Sequence, residues 1–125
     1  MDVEKLARGL ALNRISFGAG LMLAPRLYAR TWIGADGAGD ERAQLLARAL
    51  GARDLALGAG GLLALRGGDR ERARQWFAAQ GLTDAVDLVA TLAAGRAVPV
   101  AARLFAATVA AGSTAIAAAY VGRSA

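Results

Sequence analysis

Apolar residues recur along this chain at helical spacing, in long stretches separated by short polar breaks. The pattern predicts four helices, at about residues 4–24, 43–65, 75–94 and 101–121. The first stops at Pro25, which restrains the residue before it to extended backbone. Residues 25–40 read as a loop with interfacial character, because Gly34, Gly37 and Gly39 stand among acidic residues there. Gly67-Gly68-Asp69 reads as a turn with Asp69 capping the third helix; Gly95 ends that helix and Pro99 opens the fourth.

The fourth helix carries the clearest membrane signal. From Leu104 to Gly122 there are nineteen consecutive residues without a charge, close to the roughly 20 needed to cross a bilayer. Ala106, Ala110, Thr114 and Ala118 repeat at every fourth position, a seam of small side chains suited to close helix packing. A water-soluble four-helix bundle is the alternative, and it would require a polar outer face on every helix. The fourth helix has none, so the expected fold is an all-α, antiparallel four-helix transmembrane bundle forming one domain.

The other three helices are interrupted by charges, and these interruptions share a depth. Taken as antiparallel neighbours, the spans have their centres near Arg14, Asp54, Asp84 and Ala111. In the second helix Ala47, Gly51, Asp54, Gly58 and Gly61 share one face, which leaves the Asp54 carboxylate in a groove of bare backbone. In the third, Gln80, Asp84, Asp87 and Thr91 form one stripe, with Leu82, Val86, Leu88 and Val89 on other faces. An ionisable group at mid-membrane costs at least about 2.5 kcal/mol on insertion scales and normally faces a partner inside the bundle. Arg14, Arg48 and Arg53 balance Asp54, Asp84 and Asp87 in number, so a neutral, closed network is expected.

Composition adds to this picture. Apolar residues make up 56% of the chain, mean hydropathy is +0.38 and there are sixteen glycines, each of which would weaken a soluble helix by about 1 kcal/mol relative to Ala. Bilayer helices use glycine freely, because it lets backbones approach. Gly18-Ala-Gly20 and Gly58-Ala-Gly60-Gly61 therefore read as packing surfaces; neither has the context of a dinucleotide or phosphate loop. The net charge of +5 comes from arginines spread along the whole chain, which argues against a nucleic-acid interface and for contact with anionic headgroups. Tyr28, Trp32, Trp76, Phe77 and Tyr120 read as interfacial anchors. Seven basic residues flank the side that holds both termini and five flank the other (Lys5, Arg8, Arg66, Arg70, Arg72, Arg74 and Arg123 against Arg26, Arg30, Arg42, Arg96 and Arg103). That bias predicts a multi-pass protein of the cell membrane with both termini in the cytoplasm.

The chain has neither cysteine nor histidine, so thiolate and Ser-His chemistry and the usual zinc and haem ligand sets are excluded. No metal or other cofactor is expected. The candidate catalytic residues are Asp54, Asp84 and Asp87, with Arg14, Arg48, Arg53 and Gln80 as ligand-binding or orienting groups. Asp84 and Asp87 lie one turn apart on one face, an arrangement that favours one acid beside one base, while an arginine can orient a carboxylate or hold a developing anion. Such a set suits epoxide opening, double-bond isomerisation or cyclisation of a lipophilic small molecule. The competing role is a structural or assembly subunit whose Arg/Asp network only fixes helix packing. Ion conduction by four short helices would require a homo-oligomer.

Arg48-x-x-Gly51-x-Arg53-Asp54-x-x-x-Gly58 together with Asp84-x-x-Asp87 resembles a family of small four-span integral membrane proteins of unknown function found in actinomycetes and fungi. The resemblance covers about the middle half of the chain. It implies four membrane helices and draws attention to the Arg-Asp and Asp-Asp pairs, with no activity to transfer.

Overall fold

The computed structural model describes residues 2–123, which form five α-helices and no strands. In chain order they are α1 (Val3–Leu23), α2 (Pro25–Ala38), α3 (Glu41–Arg66), α4 (Arg70–Ala94) and α5 (Val100–Arg123), with a single 3₁₀ turn, Gly95–Ala97, before α5. The all-α expectation holds. Two boundaries differ from the sequence reading. Residues 25–38 are helical and not a loop, and α4 begins five residues earlier than the apolar pattern indicated, at the residue after the Asp69 cap.

Local chemistry accounts for the helix starts. Asp2 accepts from the backbone N–H groups of Glu4 and Lys5, Asp40 from that of Arg42 and Asp69 from that of Arg72 at 2.9 Å. Each satisfies donors that a helix N-terminus leaves orphaned. Pro25 occupies the first turn of α2, where its missing N–H and fixed φ are harmless. The glycines expected to break residues 25–40 do so at one point. Gly34, at φ 83° and ψ 165°, interrupts α2 in a region of backbone space that is essentially glycine-only.

Helices α1, α3, α4 and α5 run up and down as antiparallel neighbours. Along α1 and α3, Ala11 meets Gly58 and Gly18 meets Gly51. Between α3 and α4, Trp76 lies on Gly60 and Arg53 reaches Asp87. Between α4 and α5, Phe77 packs on Tyr120 with ring centroids 4.8 Å apart, and Gly81 faces Ala117. The α1–α3 crossing is close enough to exclude side chains. A Cβ on Gly18 would sit 2.6 Å from the Gly51 carbonyl oxygen, and one on Gly58 2.7 Å from that of Ala11. The glycine runs thus serve as packing surfaces.

Short α2 folds back along the bundle. Tyr28 covers Gly20 and packs edge-on to Phe17, Trp32 Nε1 donates to Thr91 Oγ1 at 2.9 Å, and Gly34 lies against Pro99. The expected interfacial anchors therefore need correction at two of the five positions. Phe77 and Tyr120 are buried in the core, while Tyr28, Trp32 and Trp76 pack against other helices. Aromatic rings here fill the space that glycines leave open. The small-residue seam of α5 also departs slightly from expectation, since Ala117 is buried and Ala118 is exposed.

Two apolar clusters make up the core. One, at the end where α1 begins and α5 finishes, includes Leu10, Ala11, Ala64, Phe77, Ala117 and Tyr120. The other, at the opposite end, is Leu21, Ala29, Ala38 and Ala47. Most of these residues are alanine, and the large apolar side chains lie mainly outside: Leu12, Leu45, Leu46, Leu63, Leu82, Val86, Val89 and Leu104 are all exposed. Phe77, Leu21, Leu10, Leu65 and Tyr120 are the large apolar side chains that do lie inside. Helix α5 has an 18-residue window of mean hydropathy 1.7, long and apolar enough to cross a membrane, and 17% of that window is buried. Among the described residues no other helix reaches that hydropathy.

Candidate functional site

Between the two apolar clusters lies a buried layer of charge. Arg14 on α1 donates through Nη1 to Asp54 Oδ1 on α3 at 2.8 Å and through Nη2 to Asp84 Oδ1 on α4. Arg53, next to Asp54 on α3, donates to Asp54 Oδ1 from Nε and Nη2 at 3.3 and 3.1 Å. It also holds Asp87 of α4 with two bonds, Nη1 to Oδ1 at 3.1 Å and Nη2 to Oδ2 at 2.7 Å. The sequence Asp84–Arg14–Asp54–Arg53–Asp87 starts and finishes on α4, so the chain of five side chains, completed into a ring by one turn of the α4 backbone, spans three helices.

Its geometry follows from the helices. Asp84 and Asp87 are separated by three residues and project from one face of α4. Gly51 and Gly58 bring α1 against α3 so closely that Arg14 meets the Asp54 carboxylate directly. The Arg14 and Asp84 side chains are 5% and 8% exposed. At that burial an ion pair is far stronger than one on a wet surface, and removing a partner leaves a charge with no water to turn to.

Five of the seven residues expected at the site occupy the ring: Arg14, Arg53, Asp54, Asp84 and Asp87. Two do not. Arg48 is exposed and donates through Nε to the backbone carbonyl of Met22 at 3.3 Å. It stands six residues from Asp54, about 9 Å along the helix, which is too far toward the helix end to share the ring. The expected neutral balance fails with it, because the ring holds one more carboxylate than guanidinium. Gln80 is fully buried but bonds elsewhere, its Nε2 donating to the Leu57 carbonyl at 2.9 Å one turn below Asp84. There it ties α4 to the backbone of α3.

The ring forms part of the lining of a cavity of about 210 Å³. Arg14, Asp54, Asp84 and Asp87 contribute from the polar side, joined by Asn13, Thr31, Thr91 and Ser113. Leu10, Phe17, Trp32, Phe105, Ala106, Val109 and Ala110 supply the remaining wall. Phe105 and Val109 are also 56% and 46% exposed on the outer surface, so the cavity reaches outward beside α5. Trp32 and Thr31 come from the segment read as a loop. A signal for them was present, because Pro25, Tyr28, Ala29, Trp32 and Ile33 recur at three and four, the spacing of an amphipathic helix.

Three polar atoms in and next to this layer are buried without a hydrogen-bond partner among the described residues: Asp84 Oδ2, Arg14 Nε and, one turn away, Gln80 Oε1. Both guanidinium charges are otherwise engaged by carboxylates. Among the described residues no cluster of three or more acidic side chains has a metal-holding arrangement. A second, larger cavity lies at the end of the bundle between the start of α1 and the α3–α4 turn, away from the ring.

No protein-family model matches the chain, and no curated protein or solved structure matches it either. The site is therefore defined by its own geometry: an all-helical bundle with an Arg/Asp network, buried at Arg14, Asp54 and Asp84 and partly exposed at Arg53 and Asp87, beside a cavity with a largely apolar wall.

Proposed function

We propose that this is a four-span protein of the cell membrane, with α1, α3, α4 and α5 as the spans, whose ring and cavity bind a lipophilic small molecule entering from the bilayer. Four helices of 21 to 26 residues extend about 32 to 39 Å, enough for a hydrocarbon core of about 30 Å. The exposed leucines and valines of α3, α4 and α5 support a lipid-facing surface, and the buried charges lie at mid-span, where such groups normally serve a site. Both termini then share one side, the cytoplasmic one by the arginine bias. One observation carries the ligand reading. Four ring members line a single cavity whose other wall is apolar, and Asp84 brings to it a carboxylate only half used by the ring. If the bound molecule is transformed, Asp84 is the acid or base and the arginines hold the other carboxylates in place.

The structural alternative, a subunit with no ligand, draws on the saturation of Arg53 and on Arg14 bridging two helices. A binding experiment separates the two. In a Trp76→Phe background Trp32 is the sole tryptophan and reports from the cavity wall. In lipid nanodiscs, 4-bromobenzyl alcohol should quench Trp32 saturably, and Ala110→Phe, which fills the cavity, should abolish saturation. Linear quenching unaffected by Ala110→Phe would leave the network a packing device.

A further inference from the structure

The charges around the cavity do not cancel, and their imbalance bears on what the cavity takes. Two guanidinium groups face three carboxylates within the ring. Asp54 and Asp87 are each held by arginine, Asp54 by two of them converging on Oδ1 and Asp87 through both of its oxygens. Asp84 differs. Its side chain is 8% exposed, Oδ1 takes the one bond from Arg14, and Oδ2 has no partner among the described residues. A buried oxygen of that kind is under-satisfied both as an acceptor and as a charge. The free donor nearby, Arg14 Nε, belongs to a guanidinium already flanked by two carboxylates, so it suits a neutral acceptor better than an anion. The wall opposite includes Phe17, Trp32 and Phe105, and aromatic faces attract cations, the more so where water is excluded.

We infer that the cavity selects a protonated lipophilic amine, with the ammonium paired to the Asp84 carboxylate and the apolar body lying against the aromatic wall. This inference rests on the ligand-binding reading above. The volume, about 210 Å³, is below the roughly 300 to 1,000 Å³ of a drug-sized site, so the part that enters is one ring or a short chain. The opening beside Phe105 and Val109 lets a longer tail remain in lipid. No bond is made or broken in this step; a third positive charge balances the third carboxylate.

The test uses the full chain carrying Trp76→Phe, in nanodiscs of zwitterionic lipid so that the bilayer itself does not favour a cation. Quenching of Trp32 is titrated at neutral pH with 4-bromobenzylamine, 4-bromobenzyl alcohol and 4-bromobenzyltrimethylammonium. The amine should bind at least tenfold more tightly than the alcohol. It should also bind at least tenfold more tightly than the quaternary ion, which has the charge without an N–H to donate. Asp84→Asn should remove the preference for amine over alcohol while alcohol binding persists. If amine and alcohol bind equally, the cation inference fails and the cavity reading stands; if none of the probes saturates, both fail. Equal binding of the quaternary ion would overturn the hydrogen bond to Asp84, a result obtained on the unmodified ring even if Asp84→Asn does not fold.

Discussion

Arg14 is the residue on which most of the buried layer depends, because it joins α1 to carboxylates on two other helices. Replacing it with leucine preserves bulk and removes both bonds, leaving Asp54 with Arg53 alone and Asp84 with none. Loss of one partner from a buried pair typically costs about 3 to 5 kcal/mol, so Arg14→Leu should lower thermal stability in detergent by that order. Arg48→Ala should change it by no more than about 0.5 kcal/mol, as for an ordinary surface substitution; equal effects would show that the ring contributes nothing special. The difference between Arg48 and Arg53 was not legible in the sequence. They flank the Gly51–Asp54–Gly58 face on opposite sides, both within apolar surroundings. Which flank meets a neighbour depends on whether the next helix packs to the left or right, and periodicity carries no such information. The acidic members were easier to identify, because Asp84, Asp87 and the neighbouring Thr91 share one α4 stripe whatever packs against it.

At the scale of elements, the long helices and their antiparallel order could be read from apolar periodicity, while α2 carries two signals that conflict. Its glycines point to a loop, while its apolar spacing points to a helix; Pro99 packed against Gly34 shows how both apply. The break is confined to one residue, leaving Pro25 to Ile33 free to form the turns that bring Trp32 over Thr91. Gly34→Ala meets two obstacles, a backbone region closed to L side chains and a Cβ only 2.7 Å from Pro99 Cγ. Strain of this kind is worth about 1 to 3 kcal/mol. The variant should therefore show faster hydrogen exchange in α2 and weaker quenching of Trp32 by the bromobenzyl probes, with α1 and α3 protected as before. Uniformly faster exchange would mean that α2 is integral to the bundle instead of a cover laid on it.

For the whole molecule, the distribution of side-chain size matters more than total hydropathy. Among the described residues only α5 is long and apolar enough to pass as a span by itself, because α1, α3 and α4 each devote a face to charge and glycine. Their outward faces carry the leucines and valines that a bilayer would solvate. The four-span proposal is checked by alkaline carbonate extraction, in which the protein should remain with the membrane pellet, and by tags at the two ends, which should be labelled from the same side. Release into the supernatant would return the exposed leucines to a protein–protein surface.

The charges of the ring are also unevenly divided among its three helices. Helices α1 and α3, synthesised first, bring together two guanidinium groups and a single carboxylate, so the half-built molecule holds a surplus of positive charge. When α4 docks it delivers two acids at once and reverses the sign.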